Sequence, residues 1–252
     1  MHIRGKMIFQ RNLTKIGFVL AILILVACGP GTPTNIELFD GNSLEGWEGS
    51  GMAFRVDDGS IVGGNLEKGL KESYYLCTKR KYGDFDLSVT AKFNNSDKKS
   101  NAGISFRAAR IAGSNQVAAY QADMGHIQPK YAQIFTDNYK AADTINQFSL
   151  WGTLVDECRA DPSRYPNADN FPAIFLEIPE RETIDKITKL DGWNKVRIIA
   201  KGKDIEIMVN DVTTVKYTEK AEIPAEGCIC LQAHSGGPYE IRYKDITIKE
   251  KI

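Results

Sequence analysis

The chain has 252 residues, with 32 lysines and arginines against 32 aspartates and glutamates, so its formal net charge is zero. Such a balance lacks the basic footprint of a nucleic-acid-binding surface. The length suits one β-rich domain with a substantial core.

The first residues read as an address rather than as structure. Arg4, Lys6, Arg11 and Lys15 form a cationic leader without an acidic residue, and an unbroken apolar run from Ile16 to Ala27 follows. At about 1.5 Å per residue this run falls short of the roughly 30 Å of a bilayer core. A short apolar run behind a basic leader is expected to be a secretion signal. It ends Leu25-Val26-Ala27-Cys28, which resembles a lipobox. The expected mature chain starts at Cys28, whose thiol would carry lipid and anchor the protein to a bacterial membrane, on the periplasmic or outer-membrane face. Losing four basic residues leaves 28 against 32 acidic ones, a net charge of −4. Residues 28–35 read as a Gly/Pro/Thr tether, and 36–252 as the working domain.

Four further cysteines are Cys77, Cys158, Cys228 and Cys230. Export permits disulfides, and three pairings are open. Cys228 and Cys230 lie two apart in a candidate strand, so both point to one face, which argues against a bridge between them. Buried free thiols are the expectation, and no Cys/His spacing resembles a zinc site.

From the tether onward the pattern is strand, turn, strand. Residues 60–62 and 74–78 are extended candidates. Over 85–93, Phe85, Leu87, Val89, Ala91 and Phe93 alternate with Asp86, Ser88, Thr90 and Lys92, the signature of a strand with one buried face. Residues 102–107, 196–200, 205–209 and 213–217 follow. Asn210-Asp211 sits between the last two as a hairpin turn. Residues 228–232, 239–243 and 245–249 close the chain. Short helical turns are expected near 65–72 and 181–188, and Trp47 and Trp193 are expected in the core. The spacing predicts an all-β fold, a two-sheet antiparallel β-sandwich or jelly roll. Residues 124–192 stand apart, with Pro129, Pro162, Pro166, Pro172 and Pro179. They read as long inserted loops beside one sheet face, and loops of that length are usually functional.

Seven short motifs, in order, resemble one family. They are Leu38-Phe-Asp-Gly-Asn-Ser-Leu-Glu-Gly-Trp47, Tyr82-Gly-Asp-Phe-Asp-Leu, Asn101-Ala-Gly-Ile-Ser-Phe-Arg107, Tyr120-Gln-Ala-Asp-Met-Gly125 with Trp151-Gly-Thr-Leu-Val-Asp-Glu-Cys-Arg159, Gly192-Trp-Asn-Lys-Val, the Met-Val-Asn-Asp turn, and Gly227-Cys-Ile-Cys-Leu-Gln-Ala-His234. Together they resemble the 3-keto-disaccharide hydrolase domain family over about 38–250. The resemblance implies a concanavalin A-like jelly roll that cleaves glycosides oxidised to a ketone at carbon 3. The chain departs from the pattern at Ala119, at Val155 and in an insert of roughly 126–150.

A ketone at carbon 3 acidifies the hydrogen on carbon 2, and the resulting enolate can expel the glycosidic oxygen from carbon 1. Water can then add back. Such chemistry needs a base, a donor for the enolate oxygen and an acid for the leaving group. Asp123, Glu157 and His234 are the candidates for proton transfer. Strand alternation puts Gln121 beside Asp123 and Gln232 beside His234. Asp156 and Glu157 should face opposite ways, so only one enters the cleft, and Arg159 stands ready as an ion-pair partner. Arg107 and Gln121 are candidates to orient substrate, and Tyr120 and Trp151 to stack on a sugar ring. Asp156, Arg159 and Gln232 complete the candidate substrate contacts. No E-x-D-x-x-E pair, G-x-S-x-G elbow, P-loop or H-E-x-x-H occurs, and nothing specifies a metal, although the fold would admit one divalent ion such as calcium. The expected ligand is a carbohydrate. The competing readings are a carbohydrate-binding lipoprotein without turnover and a structural module of an envelope complex.

Overall fold

A computed structural model describes residues 35–49, 51–94, 100–127, 148–159 and 174–250. The leader, Cys28 and nearly all of the tether lie outside the described residues, as do 128–147 of the insert and Pro129, Pro162, Pro166 and Pro172.

The described chain forms sixteen strands: β1 (Asn35–Glu37), β2 (Trp47–Gly49), β3 (Phe54–Asp57), β4 (Ser60–Asn65), β5 (Tyr74–Thr78), β6 (Phe85–Asn94), β7 (Asn101–Arg110), β8 (Val117–Ile127), β9 (Phe148–Ser149), β10 (Thr153–Glu157), β11 (Ile174–Glu177), β12 (Asn194–Lys201), β13 (Asp204–Val209), β14 (Val212–Thr218), β15 (Cys228–Ala233) and β16 (Tyr239–Glu250). One helix, α1 (Arg181–Ile187), precedes β12. Two antiparallel sheets result. The first runs β14-β13-β12-β6-β16-β4-β3, with β1 on β16; the second runs β11-β10-β8-β7-β15-β5-β2, with β9 on β8. The predicted two-sheet sandwich is the observed architecture.

Alternation decides which face each strand buries. In β6 the phenylalanine, leucine and valine positions are buried and the polar ones between them are half-buried. This face meets Ile104, Phe106, Tyr120, Ala122 and Met124 of the second sheet in one continuous core. The Asn210-Asp211 turn forms as read, with φ of 48° and 65°. Positive φ at both central residues gives a two-residue hairpin the twist its strands need.

Several expectations are corrected. Residues 124–192 are not all loop: they contain the end of β8, all of β9, β10 and β11, and α1. Strand β10 pairs with β8 residue for residue, so a short β-rich run hidden among prolines became an inner strand. The helical turn near 181–188 is present, but none forms at 65–72. There the Asn65 side chain accepts the backbone N–H of Glu67 and of Lys68, an Asx-type turn that competes with a helix. Trp47 is buried as expected, its indole N–H donating to the Leu38 carbonyl at 2.7 Å. Trp193 is only partly buried, with the Lys244 ammonium 4.6 Å from its ring centre. Finally, Cys77 and Cys230 are bridged. They stand directly opposite one another on β5 and β15, with Cα atoms 4.0 Å apart. Cys158 and Cys228 are buried outside this bridge.

Candidate functional site

Strand β8 carries two opposite sets of side chains. Tyr120, Ala122 and Met124 enter the core. Gln121 and Asp123 point away from it, as alternation requires, yet they are only 1% and 5% exposed. The neighbouring strands set side chains beside them on the same face. On β7, Gly103 stands opposite Asp123 and Ser105 opposite Gln121; on β10, Thr153 stands opposite Asp123 and Val155 opposite Gln121. Glu157 follows on the same face of β10. Farther across the sheet, Gln232 of β15 stands opposite Tyr75 of β5.

Gln121 is the hub. Its Nε2 donates to Asp123 Oδ1 at 2.6 Å and lies 3.4 Å from both Glu157 Oε1 and Gln232 Oε1. An amide nitrogen has two protons, so three acceptors oversubscribe it. Its Oε1 accepts from Ser105 Oγ at 2.7 Å, and Gln232 Nε2 donates to the Tyr75 hydroxyl at 2.6 Å. Gly103 makes room for this arrangement, because a Cβ there would fall 2.3 Å from Gln121 Cδ.

The two carboxyl groups have no cationic partner among the described ion pairs. Burial pushes the Asp123 carboxyl up to about 7, against a lowering contribution from Gln121. Burial, then the charges of Asp123 and Asp156, raise Glu157 well above the ordinary carboxylate range. Both carboxyls therefore hold a proton to higher pH than an exposed acid would.

His234 lies just past β15. Its Nδ1 is 2.7 Å from the Ser235 carbonyl. A carbonyl can only accept, so Nδ1 carries the proton and Nε2 keeps a lone pair. Burial lowers the imidazole's affinity for a second proton. Two phenols from the other sheet reach across to this end of β7 and β15. Tyr239 reaches the carbonyls of His234 and Asn101 at 2.7 and 2.9 Å; Tyr243 reaches those of Gln232 and Gly103 at 2.6 and 3.4 Å. The β7–β15 ladder ends at Ile104 and Leu231, and the phenols satisfy carbonyls where the two strands part.

Other predicted site residues lie elsewhere. Arg107 sits at the β7 bulge with φ of 49°. The bulge breaks the alternation that would have aimed it with Ser105. Its guanidinium instead donates to the Gly202 carbonyl at 2.7 Å and reaches Asp84 at 3.4 Å. Trp151 is 2% exposed, edge-on to Phe93 within the core, so it offers no platform to a sugar. Tyr120 stacks on Phe106 at 5.3 Å and donates to Glu219 at 2.7 Å. Asp156 faces opposite to Glu157, as expected, and pairs with Arg159. Arg159 also meets Glu219 at 2.8 Å. These four, Tyr120, Asp156, Arg159 and Glu219, form a self-contained buried network. Sequence reasoning missed Tyr75, Ser105, Asn101 and Thr153. The signal for Asn101 and Ser105 was present in their parity with Gly103.

Among the described residues no cluster of three His, Cys, Asp or Glu is placed to hold a metal ion. Two clefts on the first sheet, of about 240 and 270 Å³, are lined by residues such as Asp40 and Asp245 or Glu206 and Lys216. Neither includes a buried polar atom lacking a partner.

The chain matches the 3-keto-alpha-glucoside-1,2-lyase-like domain family over residues 34–249 and belongs to it. Family membership gives it a carbohydrate-related role. No curated protein sequence matches it significantly. Among solved structures it is similar to two candidate glycosyl hydrolases from Parabacteroides distasonis. One is 15% identical, with a TM-score of 0.57 over 86% of this chain and 94% of the other. The second is 18% identical, with a TM-score of 0.53 over 86% and 99%. The exoplasmic/lumenal domain of VIP36, solved with Ca2+ and Man3GlcNAc, shares the fold at 7% identity and a TM-score of 0.53, over 85% and 87%.

Proposed function

We propose that the chain cleaves glycosides carrying a ketone at carbon 3, by elimination across carbons 1 and 2 with water adding afterwards. The observation that carries this reading is the Asp123–Glu157 pair: two adjacent acids, held by one amide and matched by no cation among the described residues. Asp123, ionising near neutrality, takes the proton from carbon 2. Glu157, holding its proton, donates to the departing glycosidic oxygen. The lone pair on His234 Nε2 accepts from a sugar hydroxyl or moves a proton at the end of β15. A base whose proton affinity lies near the working pH is the efficient one.

The test is one chromogenic glycoside in its 3-keto and unoxidised forms. Release from the ketone alone is expected. Equal release from both would remove the elimination, since only the ketone acidifies carbon 2. Binding of both with release from neither would make the chain a carbohydrate-binding module instead.

We also propose that the protein works in the cell envelope, anchored through Cys28. The basic leader, the apolar run and Leu25-Val26-Ala27 support this. A fatty-acid probe should label the wild type and not Cys28→Ser; equal labelling would refute the anchor.

A further inference from the structure

Three buried polar atoms around one end of β8 have no hydrogen-bond partner among the described residues: Asn101 Oδ1 on β7, Ser149 Oγ on β9 and Thr153 Oγ1 on β10. Folded proteins pair nearly all such groups, so each unpaired one needs a reason. Their strands all flank the Asp123 end of β8: Asn101 stands opposite Gly125, Ser149 opposite His126, and Thr153 opposite Asp123 itself.

Thr153 is the informative member. Its neighbour Leu154 is in the core, so alternation turns the threonine to the face that carries Asp123. The backbone ties the two together, because the N–H of Gly152 donates to the Asp123 carbonyl at 3.0 Å. Ser149 stands opposite His126, out of step with Asp123, so its hydroxyl falls on the other face of the sheet, and the neighbouring donors on the Asp123 face are engaged. Ser105 donates to Gln121, Gln121 to Asp123, Gln232 to Tyr75, and His234 Nδ1 to Ser235. Asn101 Oδ1 can only accept. Elimination needs a donor for the oxygen of the developing enolate, and Arg107 is held away on Gly202 and Asp84.

We propose that Thr153 is a catalytic residue whose hydroxyl donates a hydrogen bond to the carbon-3 oxygen of a 3-keto glycoside as it becomes an enolate. The proposal rests on the reading of Asp123 as the base. Asp123 takes the carbon-2 proton, and the C–H electron pair becomes the bond between carbons 2 and 3. The carbonyl pair moves onto oxygen, where the Thr153 O–H holds it. Its return re-forms the ketone and shifts the double bond to carbons 1 and 2. The glycosidic oxygen then leaves with its bonding pair and takes the Glu157 proton. Thr153 keeps its own proton throughout.

The test compares Thr153→Val, Thr153→Ser and Asp123→Asn on a 3-keto glycoside. Thr153→Val should lose about 10² to 10³ in kcat with little change in KM, the usual scale for one lost oxyanion donor. Thr153→Ser should keep most of the activity. Thr153→Val should also melt no lower than the wild type, because the methyl replaces a hydroxyl that has no partner in the fold. A purely structural threonine would show the opposite, a lower melting temperature with kcat intact in the folded fraction. Should valine not pack, Thr153→Ala carries the same kinetic comparison. Wild-type kcat in Thr153→Val, or a loss confined to KM, would overturn the role of Thr153 alone provided Asp123→Asn is inactive. Full activity in Asp123→Asn would instead remove the base on which the proposal rests.

Discussion

The molecule buries two carboxylate clusters a strand's width apart and treats them in opposite ways. On the core side of β8 and β10, Asp156 and Glu219 share the Arg159 guanidinium, and Tyr120 donates to Glu219. Burial pushes Glu219 up, but hydrogen bonds from the Ala221 N–H, Tyr120 and Arg159 outweigh it, and its proton affinity ends below the ordinary range. On the other face, Asp123 and Glu157 share, among the described residues, a neutral amide and no cation, and both are raised. One residue step along β10 separates Asp156 from Glu157 and decides which fate each acid meets. Burial with a cation builds structure; burial without one stores proton affinity.

The largest effect should come from breaking the compensated cluster. Arg159→Leu would leave two acids buried without their cation, and losing one member of a buried pair costs about 3–5 kcal/mol. Chemical denaturation at pH 7 checks this; a loss below about 1 kcal/mol would show that water compensates the acids.

Removing the uncompensated acid should instead abolish function and spare the fold. Asp123→Asn is expected to lose at least about 10² in turnover on a 3-keto glycoside. Its stability should respond to pH in a way that Arg159 and Glu219 variants do not. Asp123 ionises at about 7 in the folded protein against an ordinary 3.8, so the native state holds a proton that the unfolded chain has released. Wild-type stability therefore falls as pH rises from about 4 to 7 and stays lower above. Asp123→Asn should melt higher than the wild type at pH 8, and the gain should vanish near pH 4. Glu219 has the reverse sign. Its lowered affinity contributes stability above the unfolded-state value that is lost as pH falls through the folded one, so the penalty of Glu219→Gln should shrink in acid. Parallel melting curves for the two variants across pH would erase the distinction.

A smaller change sharpens the comparison. Gly103→Ala should displace the flexible end of Gln121, which lies where the new methyl must go. Several-fold slower turnover with a nearly unchanged melting temperature is expected, and the activity–pH profile should rise later, since Gln121 lowers the proton affinity of Asp123. An unmoved profile would mean that Gln121 does not hold Asp123.

Much of this was legible in the sequence. The alternation of residues 85–93, the Asn210-Asp211 turn and the opposite facing of Gln121 and Asp123 against Tyr120 follow from a period of two and from φ preferences, which are local. The Asp156–Glu157 split followed the same way. What failed was not local. Arg107 obeys the alternation up to a bulge that no residue type announces. Trp151 and Tyr120 look like sugar platforms until the first sheet packs over them. Tyr239 and Tyr243 act from a strand 138 and 140 residues away from the carbonyls of Asn101 and Gly103 they hold. The Cys77–Cys230 bridge likewise needed the register of β5 on β15, set across a separation of 153 residues.

The central claim is that Asp123 removes the proton from carbon 2. Incubating a 3-keto glycoside in heavy water and following deuterium at carbon 2 of recovered substrate and product tests it directly. Deuterium should enter with the wild type and not with Asp123→Asn, while Glu157→Gln should still exchange it and release little aglycone. Exchange at equal rates in the wild type and Asp123→Asn would contradict the account.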